Sequence, residues 1–213
     1  MQLIKKTNNK IEIKTEIPIG LANAIRRSIN YIPILAVDSL EINKNDSAFY
    51  DEIISHRVGL IPLKNEKLKL PEECDCGKED GCGKCSIKLK ISTSGPGAVY
   101  SDQLSPKDLI VYKMPITILE EGQELEFVAI AKMGLGIKHA KHSPGLMYYR
   151  YSEDLDKEDN EQFKKLVEES RKKEEKELSI FVESWGQITP KEIFIGAVEA
   201  LNKEIKEFVK KFK

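Results

Sequence analysis

The sequence predicts an α+β protein with a β-rich middle region and a long C-terminal helix. Apolar and polar residues alternate in several short runs, of which IEIKTEI at 11–17 and IKLKI at 87–91 are the clearest. Helical periodicity is present over residues 21–31 and again after Thr189. These two periodicities in one chain, without regular alternation of strand and helix, favour α+β over a doubly wound α/β fold.

The elements follow one another with clear breaks. A strand over 11–17 ends at Pro18 and Gly20, and the helix over 21–31 ends before Pro33. A strand over 34–42 and a short helix over 47–58 come next. Further strands are predicted at 87–91, 110–119, 124–132, 146–151 and 178–185. Because 18 of the 25 residues from 153 to 177 are charged, that stretch is predicted to be a solvated helix or connector.

The C-terminal helix has the best-defined start in the chain. Thr189 is an N-cap, Pro190 occupies the first helical position and Glu192 completes a capping box, so a helix over 190–212 is predicted. Its apolar residues recur at steps of four and three, which is the pattern of a helix that packs along another helix. These residues are Phe194, Val198, Leu201, Ile205, Phe208 and Phe212.

This apolar stripe is longer than the predicted body of the protein can cover. The apolar face of the helix at 21–31, with Leu21, Ile25 and Ile29, accounts for only part of it. Internal packing alone is one interpretation, but a large exposed apolar stripe promotes aggregation. A helix from another chain is therefore the favoured cover for the remainder.

Four cysteines within twelve residues predict a metal site. Cys74, Cys76, Cys82 and Cys85 follow the pattern Cys-x-Cys, five residues, Cys-x-x-Cys, and the chain contains no other cysteine. Two disulfides are the alternative, but Cys74 and Cys76 are too close in sequence to be bridged comfortably. Four thiolates suit one zinc ion or, less well here, an iron–sulfur cluster, whose usual ferredoxin spacing is absent. A site with four protein ligands has no open position, so one structural zinc is expected.

Composition excludes several classes of function. The chain has 213 residues, with 34 Lys and Arg against 35 Asp and Glu, so no overall positive charge attracts it to nucleic acid. The N-terminal segment lacks a signal-peptide core, and no apolar run approaches the roughly 20 residues of a membrane span. A cytoplasmic protein without membrane contact is expected. The three histidines form no recognisable catalytic motif, so no catalytic residue is predicted.

Two segments carry a resemblance to a known family. PIGLANAIRRSINYIPILAVDSLEI at 18–42 and FYDEIISHRVGLIPL at 49–63 strongly resemble the archaeal and eukaryotic α-like subunits of DNA-directed RNA polymerase. The cysteine loop resembles that family's zinc loop. GLGIKHAKHSP at 134–144 and VESWGQITPKEIF at 183–195 are similar to two further family segments.

The resemblance implies both a fold and a role. The fold would be a discontinuous dimerisation domain, residues 1–43 and 152–213, built from a sheet and two helices, with a β-rich domain bearing the zinc loop inserted at 44–151. The role would be a non-catalytic assembly platform in transcription. The chain would form a heterodimer with a smaller α-like subunit through the helices at 21–31 and 190–212. The pair would then dock the second-largest and other polymerase subunits, with Arg26 and Arg27 as possible contacts.

Two other classes of function remain open at this point. A zinc-dependent nucleic-acid-binding module is one, although Lys78 and Lys84 are the only basic residues within the loop. An enzyme is the other, and turnover of a substrate would identify it.

Overall fold

The computed structural model describes residues 1–78, 81–151 and 177–212. In these ranges the chain forms nine β-strands and three α-helices, which confirms the α+β class. The contacts divide the chain into two compact units. Unit 1 comprises Met1–Ile32 and Pro144–Lys213, and unit 2 comprises Pro33–Ser143.

Unit 1 is built on a four-stranded antiparallel sheet with the order β1-β2-β9-β8. Its strands are β1 (Gln2–Lys6), β2 (Lys10–Thr15), β8 (Gly145–Tyr151) and β9 (Leu178–Ser184). Ile11 and Ile13 lie opposite Val182 and Ile180, and all four side chains are buried on one face. Strand β1 was not predicted, because its five residues are all exposed and show no apolar alternation.

Two helices of unit 1 contact each other and this sheet: α1 (Ile19–Ser28) and the C-terminal helix, α3 (Pro190–Lys210). The predicted capping box is present. Thr189 Oγ1 accepts the Glu192 N–H at 3.3 Å, and Glu192 Oε2 accepts the Thr189 N–H at 2.8 Å. The helix predicted over 21–31 ends earlier, and its last three residues form a 3₁₀ turn before Pro33.

Unit 2 contains a three-stranded antiparallel sheet with the order β3-β7-β4 and a separate hairpin of β5 and β6. The helix α2 (Asp51–Gly59) packs Ile54 and Val58 into the same core as Phe127 of β7. The strands are β3 (Ile34–Asn45), β4 (Ser86–Ser94), β5 (Gly97–Tyr100), β6 (Pro115–Leu119) and β7 (Glu124–Gly134). The strand predicted over 110–119 therefore forms only over its second half, Pro115–Leu119.

The domain boundaries predicted at 43/44 and 151/152 need correction. Strand β3 was assigned to the outer domain, but it pairs along β7, and its residues Leu35 and Val37 belong to the core of unit 2. Strand β8 was assigned to the inserted domain, but it pairs with β9 in unit 1. Strand pairing therefore moves the divisions to 32/33 and 143/144. Of the charged stretch 153–177, all but Glu177 lies outside the described residues.

We expect Phe127→Ala to destabilise the protein by about 3–5 kcal/mol, because this ring is fully buried at the centre of unit 2 and its loss leaves a cavity. Urea unfolding followed by circular dichroism measures the change. Ile118→Ala, at a side chain that is 70% exposed in the same unit, should shift the free energy of unfolding by less than about 0.5 kcal/mol. Equal effects of the two substitutions would contradict the described core.

Candidate metal centre and exposed helix face

The four cysteine sulfurs converge on one point. All four Sγ atoms lie within 4.8 Å of one another. The Sγ atoms of Cys74 and Cys82 are 3.7 Å apart, those of Cys76 and Cys85 are 3.8 Å apart, and those of Cys82 and Cys85 are 3.9 Å apart. A tetrahedral ion with metal–sulfur bonds of about 2.3 Å places its sulfurs about 3.8 Å apart. The arrangement therefore fits a single four-coordinate ion.

The same distances fit a four-iron cluster poorly. In such a cluster each cysteine binds a different iron, so the thiolates are held apart by the width of the cluster itself. Sulfurs in near contact leave no room for it. The geometry thus favours a single ion over the cluster that the sequence left as an alternative.

The second half of the loop is a tight turn that leads directly into β4. The N–H of Cys85 donates to the carbonyl of Cys82 at 2.9 Å, and the N–H of Cys82 donates to Cys85 Sγ at 3.1 Å. Gly81 has φ +78°, and a Cβ there would lie 2.9 Å from Cys85 Sγ. Glycine is required at this position because any side chain would displace a ligand sulfur.

The thiols of the loop do not ionise equally. The backbone N–H of Lys84 and the neighbouring thiols lower the pKa of Cys82 to about 7, although burial opposes this. The backbone N–H of Cys76 also favours the thiolate of Cys74, but burial and its three neighbouring thiols outweigh it and raise the pKa of Cys74 to about 12. A bound cation removes this conflict by favouring all four thiolates together.

The first part of α3 belongs to the core of unit 1. Ile193 and Ala197 are fully buried, and Gly196 lies against Ile32, where an added Cβ would be 3.2 Å from the Ile32 Cδ1 atom. Phe194 and Val198 are half-buried. This part of the helix is covered by the protein's own residues.

The second part of α3 and the turn after it present an apolar face to solvent, since the helix predicted to reach residue 212 ends at Lys210. The side chains of Ile205, Phe208, Val209 and Phe212 are 52%, 62%, 49% and 77% exposed. Their spacing of three and four residues places them on one side of the helix. The rings of Phe208 and Phe212 pack edge to face with centroids 4.8 Å apart. We call these four residues the outer stripe.

The predicted interface residues therefore fall into three groups. The buried group is Ile25 and Ile29, each 6% exposed, and these two pack inside the chain rather than being available to a partner. The half-buried group is Phe194, Val198 and Leu201. The exposed group is Leu21, Ile205, Phe208 and Phe212.

The two arginines of α1 also differ. Arg26 donates two hydrogen bonds to Asn23 Oδ1, at 3.1 and 2.9 Å, and is half-buried. Arg27 is exposed. Of the pair, Arg27 is the one whose side chain faces solvent.

Sequence reasoning missed Val209 as a member of the outer stripe. It lies four residues after Ile205, on the same face, but the strict repeat of four and three passes through Phe208 instead. A hydrophobic periodicity of 3.6 residues would have included it. None of the described helices combines the length and apolar character of a membrane span.

We expect the purified chain to bind one metal ion through the four thiolates. Cys82→Ser should abolish stoichiometric binding and raise proteolytic cleavage within 74–85, because three ligands no longer close the loop. Elemental analysis and limited proteolysis measure the two effects. Lys78→Ala changes an exposed side chain of the same loop and should retain the ion. A Cys82→Ser protein that holds a full equivalent of metal would contradict the site.

Metal affinity should rise between about pH 6 and about pH 8, because protons compete with the ion for the thiolates. Cys82, with its pKa lowered to about 7, supplies the first thiolate in this range. Competition with a chromophoric chelator at several pH values measures the affinity. A pH-independent affinity would show that the thiolates are not the ligands.

Residues 11–148 match the family described as the RNA polymerase Rpb3/RpoA insert domain. The chain is 37% identical over 172 residues to the DNA-directed RNA polymerase subunit Rpo3 of Methanothermobacter thermautotrophicus, a match covering 72% of this chain and 64% of that protein.

Two further relatives are also named as subunits of DNA-directed RNA polymerase. Rpo3 of Pyrococcus horikoshii is 40% identical over 157 residues, covering 71% of this chain and 59% of that protein. The DNA-directed RNA polymerase II subunit rpb3 of Dictyostelium discoideum is 35% identical over 158 residues, covering 65% of this chain and 52% of that protein. The match thus spans less than two thirds of each of these relatives. Because the family match extends over more than half of the chain, this protein belongs to the Rpb3/RpoA family of RNA polymerase subunits.

Proposed function

We propose that this chain is a non-catalytic assembly platform of a cytoplasmic DNA-directed RNA polymerase. It forms a heterodimer with a smaller α-like subunit, and the pair docks the second-largest and other subunits during transcription. The observation that carries the proposal is the outer stripe. It is an uncovered apolar helix face in a chain of the Rpb3/RpoA family.

The exposure of the outer stripe supports a protein partner. Four large apolar side chains on one helix face form a contiguous patch of the kind that marks interaction sites. An apolar helix from another chain covers such a face by packing side chains between its own. Leu201 and Val198, half-buried at the inner end of the stripe, extend the same face toward the core of unit 1.

The dimer has to leave other surfaces for the large subunits. Arg27 is the better candidate for such a contact, since its guanidinium is exposed and can form bidentate bonds to a carboxylate. The guanidinium of Arg26 already donates two hydrogen bonds to Asn23 on the same helix, so it is less available for a contact with another subunit. No catalytic role is proposed for either residue.

The cysteine loop has a structural role in this proposal, and its ion is zinc. Zinc accepts four thiolates in a tetrahedron and, with no open coordination position, supplies folding energy rather than catalysis. The ion would hold Cys74 and Cys76 against the turn at 82–85, which is anchored by β4. We propose that it stabilises the surface of unit 2 in the assembled enzyme.

We expect Ile205→Asp or Phe208→Asp to abolish pairing with the smaller α-like subunit. Each places a charge in the centre of the outer stripe, where an unpaired buried charge costs about 3 kcal/mol or more. That cost corresponds to at least about a 100-fold loss of affinity. Co-expression followed by native mass spectrometry measures the heterodimer.

Lys203→Asp is the matched control. It introduces the same carboxylate on the same helix, with an even larger change of net charge, but on the side away from the outer stripe, and should leave pairing intact. The unsubstituted chain alone should self-associate or be poorly soluble. A stable monomer that ignores the smaller subunit, or stripe variants that pair normally, would refute the proposed function.

The metal should be identified as zinc by elemental analysis of protein purified under reducing conditions. Tetrathiolate zinc has a filled d shell and no visible absorption, whereas iron bound by thiolates is coloured. Iron with a visible charge-transfer band would contradict the assignment. Salt-dependent DNA binding by the isolated chain would instead favour a zinc-dependent nucleic-acid-binding module.

A further inference from the structure

Unit 2 contains a cavity of about 290 Å³ that two stretches of the chain line together. The first stretch, residues 70–72, leads into Cys74. The second lies between residues 132 and 142 and comprises the end of β7 and the segment after it. This second stretch includes most of GLGIKHAKHSP, to which the metal site and the outer stripe assign no role.

The charged side chains of the lining are paired within the chain. Lys132 and Lys141 form ion pairs with Asp38 at 3.2 and 3.5 Å. Lys138 forms an ion pair with Glu72. The pairs of Asp38 join β3 to the second stretch, whereas the pair of Glu72 joins the first stretch to the second. This last pair therefore links the approach to the cysteines with the segment after β7.

Residues 66–76, which we call the entry segment, are weakly attached to unit 2. Leu68 and Leu70 are half-buried and pack against its core, but most of the other residues of the segment are exposed. Its one backbone hydrogen bond to another part of the described chain runs from the Lys69 N–H to the Lys84 carbonyl, at 3.0 Å. Because Lys84 belongs to the cysteine loop itself, this bond does not attach the segment to the sheet.

Within the described residues, two further polar contacts hold residues 71–76. One is the ion pair of Glu72 with Lys138, whose side chains are 69% and 61% exposed. The other is the contact between the two cysteine sulfurs of the segment and those of the turn at 82–85, at 3.7 and 3.8 Å. Thiols are weak hydrogen-bond partners, whereas bonds to one shared ion would join both halves of the loop firmly. A bound ion would therefore be the main anchor of this part of the chain.

Residues 135–139, which we call the cavity loop, have a firm attachment at each end. Before the loop, Gly134 is paired with Ile34 in the sheet. After it, His142 is 6% exposed, and its Nδ1 atom hydrogen bonds to the Ile34 carbonyl at 2.8 Å. Between these two points, Lys138 makes the ion pair that joins the loop to the entry segment. The middle of the loop therefore depends on where the entry segment is held.

We propose that the bound ion sets the conformation of the cavity loop. The ion fixes residues 71–76, Glu72 is thereby held in place, and its carboxylate fixes the loop through Lys138. This coupling rests on the structural role proposed for the ion, and it identifies the surface of unit 2 that the ion stabilises. Without the ion the entry segment no longer holds the loop, and Ile137, which is 56% exposed within it, loses its fixed position. Loss of the ion is thus felt at residues that bind no metal.

A coupling of this kind is reciprocal, because the factor by which the ion favours the ordered loop is also the factor by which the ordered loop favours the ion. The factor is small, since exposed ion pairs contribute little free energy. Glu72→Gln should therefore weaken ion binding by about two- to fivefold. Charge alone predicts the opposite change, because four thiolates around a divalent ion form a net negative site that a nearby carboxylate repels. The direction of the change thus separates the coupling from simple electrostatics.

Competition with a chromophoric chelator measures the affinity of the full chain for zinc. Lys138→Met should weaken zinc binding as Glu72→Gln does, and the double variant Glu72→Lys with Lys138→Glu should restore it, since the pair re-forms with its charges exchanged. Lys113→Met is the matched control, because Lys113 is also 61% exposed and pairs with Asp102 in the same unit. It should leave the affinity unchanged. Unchanged or stronger zinc binding by Glu72→Gln would overturn the proposal.

A second measurement follows the loop itself. Backbone order parameters of Ile137 and Lys138 are compared by NMR in the zinc-loaded full chain and after chelation under reducing conditions. We expect them to fall from about 0.85 to about 0.6 or lower when the ion is removed, while those of the β5–β6 hairpin in the same unit stay constant. In the Glu72→Gln protein, removal of the ion should change them much less. Order parameters that do not respond to the ion, or that fall throughout unit 2, would overturn the proposal.

Elemental analysis of the same samples separates this coupling from the structural role proposed for the ion. A chain that holds a full equivalent of zinc but keeps its cavity loop rigid on chelation would overturn the coupling alone. A chain that binds no ion would overturn both. Pairing with the smaller α-like subunit is measured through the outer stripe and does not depend on either result.

Discussion

The structure of unit 1 depends on the antiparallel pairing of β2 with β9. Ile11 lies opposite Val182, so the pairing joins two segments that lie far apart in the sequence. It places β9 between β2 and β8 and creates the buried face on which α1 and α3 rest. Closing so long a loop costs conformational entropy, which is recovered only when the apolar side chains of both strands are buried together. Without this pairing the C-terminal helix would have no surface to pack on.

That dependence explains why α3 has two different halves. The inner half, with Ile193 and Ala197, is fixed by the core of unit 1. The outer half leaves Ile205 and Phe208 exposed to solvent on the same helix, whose N-terminus is fixed by the capping box. A binding face that is held rigidly loses little conformational entropy when its partner arrives. Such a preorganised face suits the assembly role proposed above.

Unit 2 carries both the cysteine loop and the ion pairs of Asp38 on one three-stranded sheet. The four cysteine sulfurs lie close enough to share one ion, and Lys132 and Lys141 both form ion pairs with Asp38. Each feature is positioned by the sheet β3-β7-β4, through the start of β4 on one side and the end of β7 on the other. The sheet thus fixes the position of both the cysteine loop and the Asp38 ion pairs.

The sequence by itself determined what depends on neighbours in the chain. The capping box at Thr189, the alternation in β2 and β4, and the four-cysteine motif are local patterns, because hydrogen bonds and short loops enforce them within a few residues. Strand β1 lacked such a pattern, since Gln2–Lys6 is an exposed edge. Only the tertiary structure decided that β3 and β8 change units, that Ile25 is buried while Ile205 is exposed, and that Lys141 meets Asp38. These features follow from strand pairing and packing between residues far apart, which leave no periodic signal in the sequence.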